Sequence, residues 1–145
     1  MLFTAENCQK IIDGCKMQTR RLVKDGEYIT EVMSVMDGQT LRERWRAFHA
    51  YAIQPGRGKK AVGQIKLLSI RKERLQDITA GDCQREGLAP DESVDEFLRD
   101  ADLLKRFQTL WDSIYSKHSG KRWSDNPQVW VLEFMLKEYP NGNAN

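Results

Sequence analysis

The sequence predicts an α+β domain in which a small antiparallel sheet curls into a barrel, accompanied by a short N-terminal helix and one long amphipathic helix. Two observations predict it. Several short segments rich in β-branched and aromatic residues are separated by turn residues, and one later segment keeps a helical period. The 145 residues, 40% apolar and 30% charged, can bury one core. We therefore expect one domain over residues 1–139 and a disordered tail at 140–145.

The first predicted element is a helix that begins directly after Thr4. The Thr4 hydroxyl can cap it, and Glu6 places negative charge in its first turn. Gly14 can supply the left-handed stop. The segment "GCKMQTRRLV" that follows therefore begins where the backbone changes direction. The apolar stripe of this helix consists of Ala5, Cys8, Ile11 and Ile12.

Four later segments have the composition of strands. The third alternates imperfectly, which suits a bulge near Gly63, and the fourth is apolar enough for burial on both faces. Turns are predicted at Asp37–Gln39 and Gln54–Gly63. The four segments are "EYITEVMSVM" (Glu27–Met36), "RAFHAYAIQ" (Arg46–Gln54), "AVGQIKLLSIRKERL" (Ala61–Leu75) and "VWVLEFML" (Val129–Leu136).

The long helix is predicted to begin at a capping box formed by Ser93 and Glu96, and to end at Gly120. Its apolar residues recur with a period near 3.6, so we expect them to face the core. They are Val94, Phe97, Leu98, Ala101, Leu104, Phe107, Trp111, Ile114 and Tyr115.

Composition excludes several classes of protein. No apolar run approaches the ~20 residues that span a bilayer, and no signal-peptide pattern opens the chain. We therefore expect a cytoplasmic protein without a membrane partner. The cysteines form no C-x-x-C pair and the two histidines lack ligand-like neighbours, so we expect reduced thiols, no metal and no cofactor. These residues are Cys8, Cys15, Cys83, His49 and His118.

The net charge of +2 conceals an asymmetry, because residues 1–74 carry +7 and residues 75–145 carry −5. Such a distribution can form a positive face for a polyanion, or the fold can mix the two halves. The turn at Gln54–Gly63 offers backbone N–H groups beside Arg57, Lys59 and Lys60. It can contact phosphate, although an ordinary hairpin with solvated charges has the same pattern.

Tryptophans are available to stack on nucleobases. Trp45 is the best candidate because it lies between arginines 44 and 46. Trp123 and Asn126 can line the mouth of a pocket or can pin the last strand, and Trp130 is expected in the core.

Four blocks, "GCKMQTRRL", "YAIQPGRGKKAVGQI", "ITAGDCQREG" and "RWSDNPQVWVLEF", occur in order between Gly14 and Phe134. Together they resemble the ASCH family. The resemblance implies a PUA-like β-barrel, a fold related to modules that bind RNA and modified nucleobases. Within that family the chain is also similar to small bacterial amidohydrolases that remove the acyl group from N-acetylcytidine. Their Gly-x-Lys-x-x-Thr motif matches Gly14, Lys16 and Thr19, and their acidic position matches Glu86.

This likeness implies a metal-independent catalytic set of Lys16, Thr19 and Glu86. A lysine that is buried beside Arg20 and Arg21 can act as a base, because its pKa falls. Thr19 is then the nucleophile or positions a water, and Glu86 relays the proton to the departing amine. Residues three apart on a straight strand point to opposite faces, so Lys16 and Thr19 converge only if the chain bends.

The leading hypothesis is a cleft that binds RNA or a nucleoside, built from Lys16, Thr19, Arg20, Glu86 and the 57–60 loop. Arg21 either joins it or pairs with a carboxylate of the acidic half. The alternatives are an amidohydrolase acting on N-acetylcytidine, a ribonuclease, and an adaptor module that binds another protein.

Overall fold

The computed structural model describes residues 1–138, so the predicted tail at 140–145 lies outside the described residues. The helices are α1 (Ala5–Ile12), α2 (Ala80–Arg85) and α3 (Arg99–Tyr115). The strands are β1 (Gln18–Leu22), β2 (Glu27–Ile29), β3 (Ser34–Asp37), β4 (Glu43–Arg46), β5 (Ala50–Ile53), β6 (Gly63–Arg74) and β7 (Gln128–Glu138). Single 3₁₀ turns lie at Leu75–Asp77, Glu96–Leu98 and Trp123–Asp125. No helix in this part of the chain is long and apolar enough to cross a membrane.

The strands form two antiparallel sheets. One has four strands in the order β1-β7-β6-β5, and the other has three in the order β2-β3-β4. The mixed α and β class is confirmed. Closure into a barrel is not, because the strands of residues 1–138 belong to two separate sheets. In the larger sheet β1 is an edge strand, and this position decides where the site described below is built.

The larger sheet has a hydrophobic core on each face. The side chains of β7 alternate between the two faces and contribute to both cores. Trp130 and Leu132 point to the face covered by α1 and the three-stranded sheet. Val129 and Val131 point to the face covered by α2 and α3. All four side chains are fully buried, so β7 is buried on both faces over this stretch, as its composition predicts.

Two predicted strands are each interrupted. The segment 27–36 is a hairpin of β2 and β3, and its turn holds Met33 at a φ of 53°. The segment 46–54 breaks between β4 and β5, where Phe48 has a φ of 67°. Left-handed backbone at a non-glycine residue cannot continue a strand. The alternation of side chains continues across both breaks, so neither break has a local signal in the sequence.

The long helix begins later than predicted. Ser93 bonds to Asp91 instead of forming a capping box, and α3 starts at Arg99 without a side-chain cap. The buried stripe is Leu103, Phe107 and Trp111, which are four residues apart. Phe97 is 82% exposed and Ile114 is 62% exposed, so their predicted place in the core was wrong.

The helix cap, the helix stop and the bulge that were predicted from adjacent residues are present in the structure. The Thr4 hydroxyl accepts a hydrogen bond from the Asn7 N–H and caps α1. Gly14 has a φ of +80° directly after the helix. Strand β6 starts at Gly63, and its pairing with β7 shifts register at the next step, between Gln64 and Ile65. The predicted stop and the predicted bulge are therefore confirmed.

Candidate ligand-binding site

A cavity of about 450 Å³ lies along the outer edge of β1. We call it the edge cavity. Side chains from both faces of β1 reach it, Thr19 and Arg21 from one face and Arg20 from the other. The N-terminal segment with α1 forms one wall, and α3 forms the opposite wall. The edge position of β1 makes this possible, since an inner strand would have a neighbour where the cavity lies.

Lys16 reaches the edge cavity because the chain bends before β1. Gly14 turns the backbone, and the Lys16 N–H then donates to the Lys10 carbonyl at 3.1 Å. The Met17 N–H donates to the Arg85 carbonyl at 2.7 Å, which ties the bend to α2. The bend required for Lys16 and Thr19 to converge is therefore present, and both residues line the edge cavity.

Glu86 enters from the C-terminal end of α2. This short helix is fixed at its start by a capping box between Thr79 and Asp82. Gly87 follows Glu86 with a φ of +108°. A Cβ at Gly87 would lie 3.1 Å from Lys10 Cδ, so glycine lets α2 end close against the bend before β1.

The Lys16 amine is held by a single residue. Its Nζ is 2.9 Å from Glu86 Oε1 and 2.9 Å from the Glu86 carbonyl oxygen. Burial lowers the pKa of Lys16 from its ordinary value, and Glu86 opposes this shift, while Arg21 and Lys10 add to it. A neutral amine has two N–H donors, and Glu86 can accept both. The nitrogen lone pair would then be free to take a proton.

Arg20 holds Glu86 from the other side. Its Nη1 donates to Glu86 Oε2 at 3.0 Å and also to Gln18 Oε1. Its Nη2 lies 3.3 Å from Asp82 Oδ2 and 3.6 Å from Glu73 Oε2. Yet Nε and Nη2 of this buried guanidinium have no hydrogen-bond partner among residues 1–138. Such orphaned donors are costly, and they are common where a ligand or water completes a site.

A wider network supports Arg20 beneath the sheet. Gln18 Nε2 donates to Asp82 Oδ1 at 3.3 Å and to Glu133 Oε1 at 3.2 Å. Arg71 bridges Glu133 and Glu73, each at 2.7 Å. Sequence reasoning missed this network. One signal was available, since Gln18 and Arg20 are two apart on a strand and so share a face.

The wall formed by α3 is apolar. Leu110 and Ile114, which are 52% and 62% exposed, line the edge cavity. Trp111 and Tyr115 line it as well, with ring centroids 4.6 Å apart. The edge cavity therefore has a charged floor, formed by Lys16, Arg20 and Glu86, and an aromatic and aliphatic wall, formed by α3. The sequence did not indicate this wall, because Trp111, Ile114 and Tyr115 continue the helical period and were expected in the core, and Leu110 was assigned to neither place.

Thr19 lies on the floor and is 6% exposed. Within the described part of the chain its hydroxyl makes no hydrogen bond, although the residue lines the edge cavity. Its strand partner is Leu132 of β7, which is part of the core. Thr19 thus presents a free hydroxyl to the edge cavity.

Arg21 also lines the edge cavity. Its Nη2 donates to the Leu2 carbonyl at 2.7 Å, and its guanidinium lies 4.8 Å from the centre of the Phe3 ring. No carboxylate of residues 1–138 forms an ion pair with it, so the predicted pairing with the acidic half is wrong for Arg21. Arg20 makes that pairing instead, through Glu86 and through an acid of α2.

The predicted phosphate loop is only at the rim. Pro55 and Gly56 line the edge cavity, whereas Arg57, Lys59 and Lys60 are exposed and do not. These three cations can be reached only by a ligand that extends beyond the mouth.

The predicted aromatic contacts lie elsewhere. Trp45 is 7% exposed and packs in the core, with Arg44 3.9 Å above its ring, so it has no free face for a base. Asn126 has a φ of 46° and its Oδ1 accepts from the Gln76 N–H at 2.9 Å. Trp123 packs against Phe107 with ring centroids 6.3 Å apart. Trp123 and Asn126 therefore pin the start of β7 and do not line the edge cavity.

A second cleft, of about 550 Å³, lies beyond the C-terminal end of β1. The cations that line it are Lys24, Lys72, Arg74 and Lys121, all of them exposed. None forms an ion pair with a carboxylate of residues 1–138. It contains none of the residues that sequence reasoning singled out for chemistry.

The overall fold is similar to those of two solved structures. A DUF984 protein from Enterococcus faecalis V583 superposes with a TM-score of 0.60 at 10% identity, over 97% of this chain and 75% of that one. An ASCH domain from Lactobacillus crispatus JV V101 superposes with a TM-score of 0.52 at 13% identity, over 92% of this chain and 72% of that one. No family model and no curated protein sequence matches the chain. The chain therefore has the fold of the ASCH domains, as its ordered blocks imply, and at these identities the likeness concerns the fold alone.

Proposed function

We propose that this protein binds a nucleobase, as a nucleoside or as part of RNA, in the edge cavity. The observation that carries the proposal is the arrangement of that cavity, where a fixed set of donors and acceptors faces an aromatic and aliphatic wall. Its volume of about 450 Å³ falls within the roughly 300–1,000 Å³ of small-molecule sites.

The floor suits the polar edge of a base. Glu86 offers carboxylate acceptors, whereas Lys16 and Arg20 offer donors, and their mutual contacts keep each in place. Recognition of an unstacked base combines hydrogen bonds to such groups with stacking on an apolar or aromatic surface. The half-buried Tyr115 and the exposed Leu110 and Ile114 of α3 supply that surface on the opposite side.

Isothermal titration calorimetry with the four ribonucleosides and a short single-stranded RNA at low salt tests the proposal. We expect at least one to bind. The variant Leu110→Ser should weaken binding about tenfold, because it removes an apolar contact worth roughly 1–2 kcal/mol from the wall. The matched control is Leu98→Ser, which changes a similarly exposed leucine outside the edge cavity and should bind as the parent does. Absence of binding to every nucleoside and to RNA would reject the proposal.

A second candidate function is amide hydrolysis of an N-acylated cytidine. It is favoured by the 2.9 Å contact between Lys16 Nζ and Glu86 Oε1 and by the free hydroxyl of Thr19 on the same floor. Thr19 Oγ1 would bond to the acyl carbon while neutral Lys16 takes its proton. The proton then passes through Glu86 to the amine nitrogen as the C–N bond breaks. Water would hydrolyse the threonyl ester, giving the carboxylic acid and regenerating the hydroxyl.

Incubation with N4-acetylcytidine, followed by chromatography, tests this second function. We expect cytidine and acetate to form, and we expect Lys16→Met and Thr19→Val to abolish their formation. Thr19→Ser keeps the nucleophile and should retain activity, which separates loss of the hydroxyl from loss of fold. Undiminished turnover in Lys16→Met would exclude this mechanism. Cleavage of RNA in parallel incubations would favour the ribonuclease alternative.

A further inference from the structure

The charges around the edge cavity do not balance. Four cations line it, namely Lys10, Lys16, Arg20 and Arg21, but Glu86 is the one carboxylate that does so in the described part of the chain. The two oxygens of Glu86 are already engaged, Oε1 by Lys16 and Oε2 by Arg20. Arg20 also pairs with Asp82 and Glu73, and Lys10 pairs with Glu6. Arg21 is therefore the cation of the edge cavity that pairs with no carboxylate of residues 1–138.

Arg21 is the cation of the edge cavity best placed to pair with an external anion. A guanidinium has five N–H donors in a planar fork, and within residues 1–138 that of Arg21 forms only one hydrogen bond, to the Leu2 carbonyl. Burial and the nearby Arg44 lower the pKa of Arg21, which shows that its surroundings disfavour its positive charge. A bound anion would relieve both the unpaired donors and the unfavourable potential.

Lys10 is a second cation of the edge cavity that could bind an anion. Its partner in the protein is Glu6, at 3.6 Å on the first turn of α1, and the Glu6 side chain is 80% exposed. Such exposed pairs are weak and easily exchanged. Lys10 can therefore turn towards an anion in the edge cavity at little cost.

The apolar wall of α3 restricts the kind of anion. A bare inorganic ion would leave Leu110 and Ile114 facing water, whereas a nucleoside would leave Arg21 without a carboxylate or phosphate partner. A molecule that carries both a flat base and a phosphate can place the base against the apolar wall and the phosphate beside Arg21. Resting on the proposed function, we infer that the edge cavity takes a nucleobase joined to a phosphate monoester, with the phosphate held by Arg21 and Lys10.

Two sources supply this chemistry, a free mononucleotide and the 5′-phosphorylated end of an RNA chain. The experiment is calorimetric titration with each of the four nucleosides, the matching 5′-monophosphates, and one hexanucleotide with and without a 5′-phosphate. We expect the preferred monophosphate to bind at least tenfold more tightly than its nucleoside. Preference for the phosphorylated hexanucleotide over the free nucleotide would identify RNA ends as the source, and the reverse preference would identify the free nucleotide.

The variant Arg21→Gln keeps a hydrogen-bonding side chain and removes the charge. It should reduce the preference for monophosphate over nucleoside to less than threefold. Lys105→Gln, which changes an exposed cation of α3 outside the edge cavity, is the matched control and should keep the full preference. The ratio of the two affinities is measured within each variant, so a general loss of stability does not imitate the result.

The outcomes separate the two proposals. If nucleosides and monophosphates bind equally, the phosphate inference is overturned and the proposed base-binding function stands. If monophosphates are preferred but Arg21→Gln keeps the preference, the assignment of Arg21 is overturned. If neither class binds, the proposed function fails and this inference fails with it.

Discussion

The edge cavity and the second cleft both gather positive charge near β1, yet they do so in opposite ways. In the edge cavity Lys16 and Arg20 are almost fully buried and locked to Glu86 by contacts of 2.9 and 3.0 Å. In the second cleft the cations are exposed and form no ion pair within residues 1–138. Charges of the first kind have fixed geometry and a folding cost, whereas charges of the second kind remain solvated. The difference indicates which of the two is built for a specific ligand.

The largest expected effect comes from removing the buried anion. Glu86→Gln leaves the buried Lys16 without its counter-charge and removes one of the three carboxylates around Arg20. We expect the free energy of unfolding to fall by about 3–5 kcal/mol. In the second cleft Asp25→Asn removes an exposed carboxylate and should leave stability unchanged. Urea denaturation of both variants measures the contrast. Similar small losses in the two would mean that the ion pairs of the edge cavity are not tightly coupled.

The next effect compares two glycines, one near each site. Gly87 has a φ of +108°, and an added Cβ would meet Lys10 Cδ at 3.1 Å, whereas Gly120 of the second cleft has a φ of +85° and open space. Replacement by alanine strains the backbone at both positions by about 1 kcal/mol. We expect Gly87→Ala to cost roughly 2–3 kcal/mol, because φ near +108° is less accessible and a side chain must move. Equal midpoints in thermal unfolding would contradict this difference.

A smaller effect is the dependence of stability on pH. The pKa of Lys16 in the folded protein is lowered from 10.5 by burial. Between that lowered value and 10.5 the unfolded chain binds more protons, so the contribution of Lys16 to stability rises with pH in this window. The stability difference between the parent and Lys16→Met should therefore move in favour of the parent as pH is raised from neutrality towards 10. Urea denaturation at several pH values measures it.

The control for this prediction is Lys72→Met in the second cleft, since Lys72 is exposed in the folded chain. The free energy of unfolding of Lys72→Met should differ from that of the parent by the same amount throughout this pH range. A constant difference for Lys16→Met as well would show that the amine of Lys16 is as well solvated as that of Lys72.

Much of the site could be predicted where the signal was local or came from a resemblance. The Thr4 cap and the Gly14 stop are properties of adjacent residues, and they place the bend before β1. Glu86 had no local signal. Its position followed from the block "ITAGDCQREG", and the structure brings it within 2.9 Å of Lys16, which is 70 residues away.

The parts that could not be predicted depend on how distant elements pack. Trp45, among arginines, has the composition of an exposed stacking residue, but the pairing of β3 with β4 places it in the core. Ile114 belongs to the predicted core stripe, but in α3 it faces the edge cavity, together with Leu110, which the predicted stripe did not include. Side-chain type and spacing are the same in either environment, and only the tertiary arrangement distinguishes them.

The position of β1 has a further consequence for motion. Within residues 1–138 β1 is hydrogen-bonded along one side only, to β7, as β5 is to β6 at the other edge, so it can open more easily than the two inner strands. A molecule bound between α1 and α3 would contact β1 along its unpaired side. Amide hydrogen exchange in Gln18–Leu22 should therefore slow when a ligand binds in the edge cavity, and the exchange rate of β1 then shows whether the cavity is occupied.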